Sequence, residues 1–95
     1  MSEPMTDDAI REALGPDSAW RVEDDRLTRE LRFGGFGEAL AFLVRLGIEV
    51  EKRDHHPDLT LVYDRVTVAW TSHDAGGVTD RDLDGAALVD RLLGD

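Results

Sequence analysis

Apolar and polar positions recur along this chain with two different periods, and the order in which the periods alternate outlines a fold. Residues 9–14, Ala-Ile-Arg-Glu-Ala-Leu, follow Thr6-Asp7-Asp8 and read as a helix. Thr6 is placed to cap it, the two acids favour its first turn, and Gly15-Pro16 ends it. Residues 18–22 read as a short strand, Glu23-Asp24-Asp25 as a turn, and residues 26–33 as the returning strand. Leu27, Leu31 and Phe33 share one parity with Arg29, so a cation interrupts the apolar side of that strand. Gly34-Gly35 breaks it. From Phe36 to about Glu51 the spacing becomes helical: Phe36, Leu40, Leu43, Gly47 and Val50 fall at steps of three and four, and Ala39, Phe42 and Leu46 widen the apolar face.

The second half again reads as two strands and a helix, without an internal sequence repeat. Residues 59–63 and 66–71 read as strands joined at Asp64-Arg65. Val66, Val68 and Trp70 share one face, while Thr67, Ala69, Thr71 and His73 share the other. Asp74-Ala75-Gly76-Gly77 reads as a loop. Thr79-Asp80-Arg81-Asp82 then matches a capping box that opens a last helix, with Asp82, Ala86, Val89 and Leu93 on one stripe. Trp20, Tyr63 and Trp70 are expected in the core. The predicted order is α-β-β-α-β-β-α, and tight connections between consecutive strands favour antiparallel pairing, hence an α+β layer fold. With 95 residues, the chain is expected to form a single domain over 1–95.

Composition narrows the function. The net charge of −10 argues against nucleic-acid binding by phosphate neutralisation and against anionic membrane surfaces. No apolar run approaches the length of a bilayer span. The N-terminal stretch, Met1-Ser2-Glu3-Pro4-Met5-Thr6-Asp7-Asp8, is acidic and lacks the basic and apolar regions of a signal peptide. Cysteine is absent, which removes disulfides, thiolate catalysis and cysteine–zinc sites. A cytoplasmic location is the expectation.

The candidate chemistry is concentrated in the histidines. There are three, His55, His56 and His73, all within one short window. Imidazole both gives and takes protons near neutral pH, so such a cluster suits general acid–base work. Adjacent side chains in extended backbone point to opposite sides, so His55 and His56 need not share a task. Pro57 biases His56 toward that extended form. Glu51 and Asp82 are candidates to orient an imidazole through one of its nitrogens. A site in which three histidines and a carboxylate bind a metal is disfavoured, because adjacent histidines are poorly placed to share one ion.

Taken together, Glu51-Lys52, His55-His56-Pro57, Tyr63, Thr71-Ser72-His73, Gly77-Val78-Thr79 and Asp82 resemble the pattern of the pterin-4a-carbinolamine dehydratases. Trp20 before an acidic turn, and a strand ending at Phe33 before a helix starting at Phe36, extend the resemblance over nearly the whole chain. Leu59 departs from it, since many members carry an aromatic residue there. The resemblance implies a four-stranded antiparallel sheet with three helices packed on one face, and a homodimer or homotetramer. It implies dehydration of a 4a-hydroxytetrahydropterin to quinonoid dihydropterin, in recycling the pterin cofactor of aromatic amino-acid hydroxylases. On this reading His55, His56 and His73 form the catalytic set, and Glu51, Pro57, Ser72 and Asp82 contact the substrate. No metal or organic cofactor is implied, nor any nucleic-acid or membrane partner. Which histidine is acid and which is base stays open. The competing expectation is a non-catalytic interaction module, of the coactivator or assembly-factor kind that some relatives resemble.

Overall fold

The computed structural model describes residues 3–94; Met1 and Ser2 of the acidic N-terminal stretch, and Asp95, lie outside the described residues. Seven elements follow in the predicted order: α1 (Asp7–Leu14), β1 (Arg21–Glu23), β2 (Arg26–Arg32), α2 (Phe36–Glu51), β3 (Asp58–Val62), β4 (Arg65–Trp70) and α3 (Asp80–Leu93). The strands form one antiparallel sheet in the order β1-β2-β4-β3. The helices cover one face. Leu27 and Leu31 of β2 and Val66, Val68 and Trp70 of β4 supply the sheet's share of the core, against Ile10, Ala39, Phe42, Leu46, Val50, Ala86, Leu88 and Val89 of the helices. The alternation of buried positions in β4 matches the predicted parity.

Local chemistry sets the boundaries. The Thr6 hydroxyl accepts the Ala9 N–H and starts α1, and Gly15, at φ 87°, closes it. Asp24 and Asp25 both take positive φ (52° and 60°) in a two-residue hairpin, a geometry that carboxylate side chains tolerate better than most. Arg29, the cation on the apolar side of β2, is accommodated by Asp90 of α3: its Nη1 lies 2.5 Å from Asp90 Oδ1, and the same oxygen accepts Trp20 Nε1–H at 2.9 Å.

Four expectations need correction. The first strand is shorter than expected and begins at Arg21, so the buried Trp20 precedes it and is held by Asp90 instead. The second hairpin turns on Tyr63-Asp64 rather than Asp64-Arg65, because Val62 pairs with Arg65. Tyr63 is therefore a turn residue, at φ 51° and 67% exposed, and is not in the core. Helix α2 is rotated from the expected stripe: Ala39, Phe42, Leu46 and Val50 are buried, whereas Phe36 and Leu40 join Val44 and Ile48 on an exposed apolar line.

Candidate active site

The site lies where the end of α2, the end of β4 and the start of α3 meet. Lys52 ends α2, and Asp54, at φ 53°, turns the chain back toward the sheet. His55-His56-Pro57 follows and leads directly into β3. From the other side, β4 ends at Trp70, and Ser72 and Gly77 exchange backbone hydrogen bonds across a tight loop that carries His73. Thr79 then caps α3, with Asp82 as the third residue of its first turn.

Asp82 is the hub of the arrangement. It has no exposed surface, yet both its oxygens are satisfied. Oδ2 accepts the backbone N–H of Thr79 at 2.9 Å, closing the capping box, and the hydroxyl of Ser72 at 2.7 Å. Oδ1 lies 2.6 Å from Nε2 of His55. Ser72 and Thr79 are themselves buried, and their hydroxyl oxygens are 2.9 Å apart. Because Ser72 gives its single hydroxyl proton to Asp82, Thr79 must donate to Ser72. Three donors thus converge on one carboxylate, which the N-terminus of α3 also favours as an anion.

This accounting fixes a tautomer. A carboxylate that only accepts requires the imidazole to donate, so neutral His55 carries its proton on Nε2. Nδ1 then bears the lone pair, and it makes no hydrogen bond to the described residues. The imidazole lies against the indole of Trp70, with ring centroids 5.5 Å apart and planes inclined by 30°. A cavity of about 140 Å³ opens beside it, lined by Arg53, Asp54, His55, Trp70, Arg81, Asp84 and Gly85.

The other expected residues are distributed around this centre. His56 is half exposed, and its Nε2 lies 3.5 Å from Glu51 Oε2, a solvated pairing at the end of α2. Pro57 is half-buried at the entry to β3. His73 is exposed on its loop, and its ring makes no hydrogen bond or ion pair with the described residues. The loop is fastened to α3 by Asp74, whose Oδ1 accepts Arg81 Nη2–H at 2.6 Å. That hydrogen bond holds the Asp74 carboxyl below its ordinary value of 3.8. Ser72 and Asp82 lie beneath His55, with their polar atoms committed to one another and to the imidazole. The sequence pattern did not single out Trp70, Gly85, Arg53, Asp54, Arg81 or Asp84 as part of the site. The one available signal was parity: Trp70 shares a face with Val66 and Val68 and therefore points toward the helices. Among the described residues, no three His, Asp or Glu side chains are grouped to hold a metal ion. No described helix is long and apolar enough to cross a membrane.

The α+β layer of three helices on a four-stranded antiparallel sheet is shared with known relatives. The family described as pterin 4 alpha carbinolamine dehydratase matches residues 3–92, and the chain belongs to that family. A protein of Opitutus terrae, provisionally named a pterin-4-alpha-carbinolamine dehydratase, is 43% identical over 93% of this chain and 92% of its own. One from a Picosynechococcus species, named likewise, is 39% identical over 97% of this chain and all of its own. Among solved structures, a Brucella melitensis protein described as a transcriptional coactivator/pterin dehydratase superposes with a TM-score of 0.86 at 30% identity. That match covers 95% of this chain and 98% of the other. A pterin dehydratase-like protein described as a RuBisCO assembly factor of the alpha-carboxysome shares the fold, with a TM-score of 0.71 at 23% identity over 83% of this chain and 94% of its own.

Proposed function

We propose that this chain dehydrates a 4a-hydroxytetrahydropterin, such as 4a-hydroxytetrahydrobiopterin, to the quinonoid dihydropterin and water. The observation that carries the reading is the His55–Asp82 pair, an imidazole with its free Nδ1 as proton acceptor on the wall of a cavity. In the reaction the C4a–O bond breaks as the lone pair of the neighbouring ring nitrogen forms a double bond to C4a. The departing hydroxyl takes up one proton and leaves as water. A ring N–H gives up another, so protons balance. His55 is suited to accept the ring proton, since the buried carboxylate stabilises the imidazolium that forms. The exposed histidines, His56 beside Glu51 and His73 on its loop, are the candidates to protonate the leaving hydroxyl and to contact the pterin, with Pro57 shaping the entry. Ser72 and Asp82 act by holding His55. No metal or organic cofactor is needed for these steps, and cofactor recycling for aromatic amino-acid hydroxylases in the cytoplasm is the role in which such a product is useful.

Stopped-flow observation of 4a-hydroxytetrahydropterin tests this. Wild-type protein is expected to accelerate loss of the carbinolamine, and His55→Ala, His56→Ala and His73→Ala to lower that acceleration. Folded wild type that leaves the spontaneous rate unchanged contradicts the reading.

One further observation concerns how the chain associates rather than its chemistry. The exposed line Phe36, Leu40, Val44 and Ile48 on α2 carries no charge in a chain of net −10. We assign it to a second copy of this chain, because exposed Gly37 and Ala41 beside Phe36 and Leu40 leave gaps into which the same large residues of a symmetry-related helix can fit. A stoichiometric foreign partner recovered with this face, together with no pterin turnover, is the result that favours the interaction module instead.

A further inference from the structure

We propose that Trp70 is a positioning residue for His55, and that Gly85 is what allows it to be one. The inference rests on the reading of His55 as the proton acceptor. A hydrogen bond from Nε2 to Asp82 fixes one edge of the imidazole but leaves its plane free to swing about that contact. His55 sits on a connecting segment between α2 and β3, where no ladder of backbone hydrogen bonds stiffens it. The indole supplies the missing restraint, a flat surface on which the imidazole rests at a centroid separation of 5.5 Å.

Two features mark Trp70 as more than core filling. Its Nε1–H is buried and has no hydrogen-bond partner among the described residues, a cost that leucine or phenylalanine would avoid at the same place. A polar group left unsatisfied in an otherwise satisfied core is where function is expected to have overridden stability. The second feature is the neighbour on α3. A Cβ at position 85 would stand 2.6 Å from Cδ2 and Cε2 of Trp70 and 2.7 Å from Cε3. These are closer than a buried ring on a central strand can yield, so the indole occupies its place only because residue 85 is glycine. Trp70, Gly85 and His55 also line the same cavity, so the shelf that orients the imidazole forms part of the wall a substrate would meet.

The test has two independent arms. In the wild type, the imidazole C–H resonances of His55 are expected upfield of those of His56 and His73, displaced by the Trp70 ring current, with Overhauser contacts between the two rings. This arm requires no substrate and no variant. In stopped-flow dehydration, Trp70→Leu is expected to lower kcat by about ten- to a hundredfold with a smaller change in KM, the signature of a misaimed group in a cavity whose wall is also altered. Trp70→Phe, which retains a ring, is expected to recover most of that loss. Gly85→Ala, which keeps the indole in the chain but moves it, should reproduce both the lost ring-current displacement and the fall in kcat, and it serves if Trp70→Leu does not fold. A wild-type His55 without the displacement overturns the proposal, and so does a folded Trp70→Leu protein with wild-type kcat. A wild type that shows the displacement but no turnover supports the seating of His55 and overturns the dehydratase reading alone.

Discussion

At position 82 one carboxylate serves two structures: its Oδ2 closes the capping box of α3 and its Oδ1 holds His55. Asp82→Asn separates the two tasks. The amide oxygen can still accept from Thr79 N–H and from Ser72, so the helix start is retained. The amide nitrogen, however, must donate to His55 Nε2, which moves the imidazole proton to Nδ1 and removes the lone pair there. Nitrogen-15 chemical shifts of His55 should report the exchange of tautomers. Asp82→Ala is expected to cost more stability, on the order of 3 kcal/mol, because it strands several buried donors. Thermal or urea unfolding measures the difference between the two variants. Gly85 makes a second residue-scale prediction. Gly85→Ala should destabilise by about 1–3 kcal/mol in the wild type and by much less in Trp70→Leu, giving a large coupling in a double-mutant cycle. Additive effects would mean that the close approach of Cβ and indole is relieved elsewhere. The link between His55 and Asp82 was legible in the sequence only in outline, as a capping box and a carboxylate candidate for orienting a histidine. The Trp70–Gly85 approach was not legible, because it depends on how β4 and α3 cross, which neither segment encodes alone.

Among the elements, the caps and turns were the clearest signals. Thr6, Gly15 and the Thr79–Asp82 box stand where helices α1 and α3 begin or end, because each satisfies backbone groups that the helix leaves open. Helix α2 was harder to orient. It is apolar around most of its circumference, so a period of 3.6 locates the helix without saying which side faces the sheet. Tyr63 was misplaced because an aromatic residue in a β-rich stretch reads as core, whereas register puts it at the turn. The loop carrying His73 supports a prediction of its own. Asp74 is held by Arg81, and its carboxyl titrates below its ordinary value of 3.8. A lowered folded value means that the contact contributes stability above the unfolded value and loses that contribution as pH falls through the folded one. Asp74→Asn should therefore be less stable than wild type near neutral pH, and the gap should close in acid, below the ordinary carboxylate range. Unfolding curves across that range check the sign; a gap that widens in acid would exclude the assigned contact.

For the molecule as a whole, the four-stranded sheet presents one covered face, and α2 presents a second apolar line outward. The β1-β2 and β3-β4 pairs and the covered face follow from hairpin connections and strand parity, whereas the β2-β4 pairing that joins the two hairpins was not legible in either one alone. The outward line was hidden in the sequence because Phe36 and Leu40 were counted toward the core and Val44 and Ile48 were not singled out. Self-association through α2 is expected, so sedimentation equilibrium should give an oligomer for the wild type and a smaller species for Val44→Glu with Ile48→Glu. A wild-type monomer would remove the second copy from the account.

The central claim is that an imidazole held by a buried carboxylate takes the proton that completes dehydration. Stopped-flow dehydration of 4a-hydroxytetrahydropterin by wild type and Asp82→Asn, side by side, tests it most directly. The wild type should accelerate the reaction, and a folded Asp82→Asn variant should lose on the order of a hundredfold or more of that acceleration, since the wrong tautomer presents a proton where a lone pair is needed. Equal rates for the two proteins would contradict it.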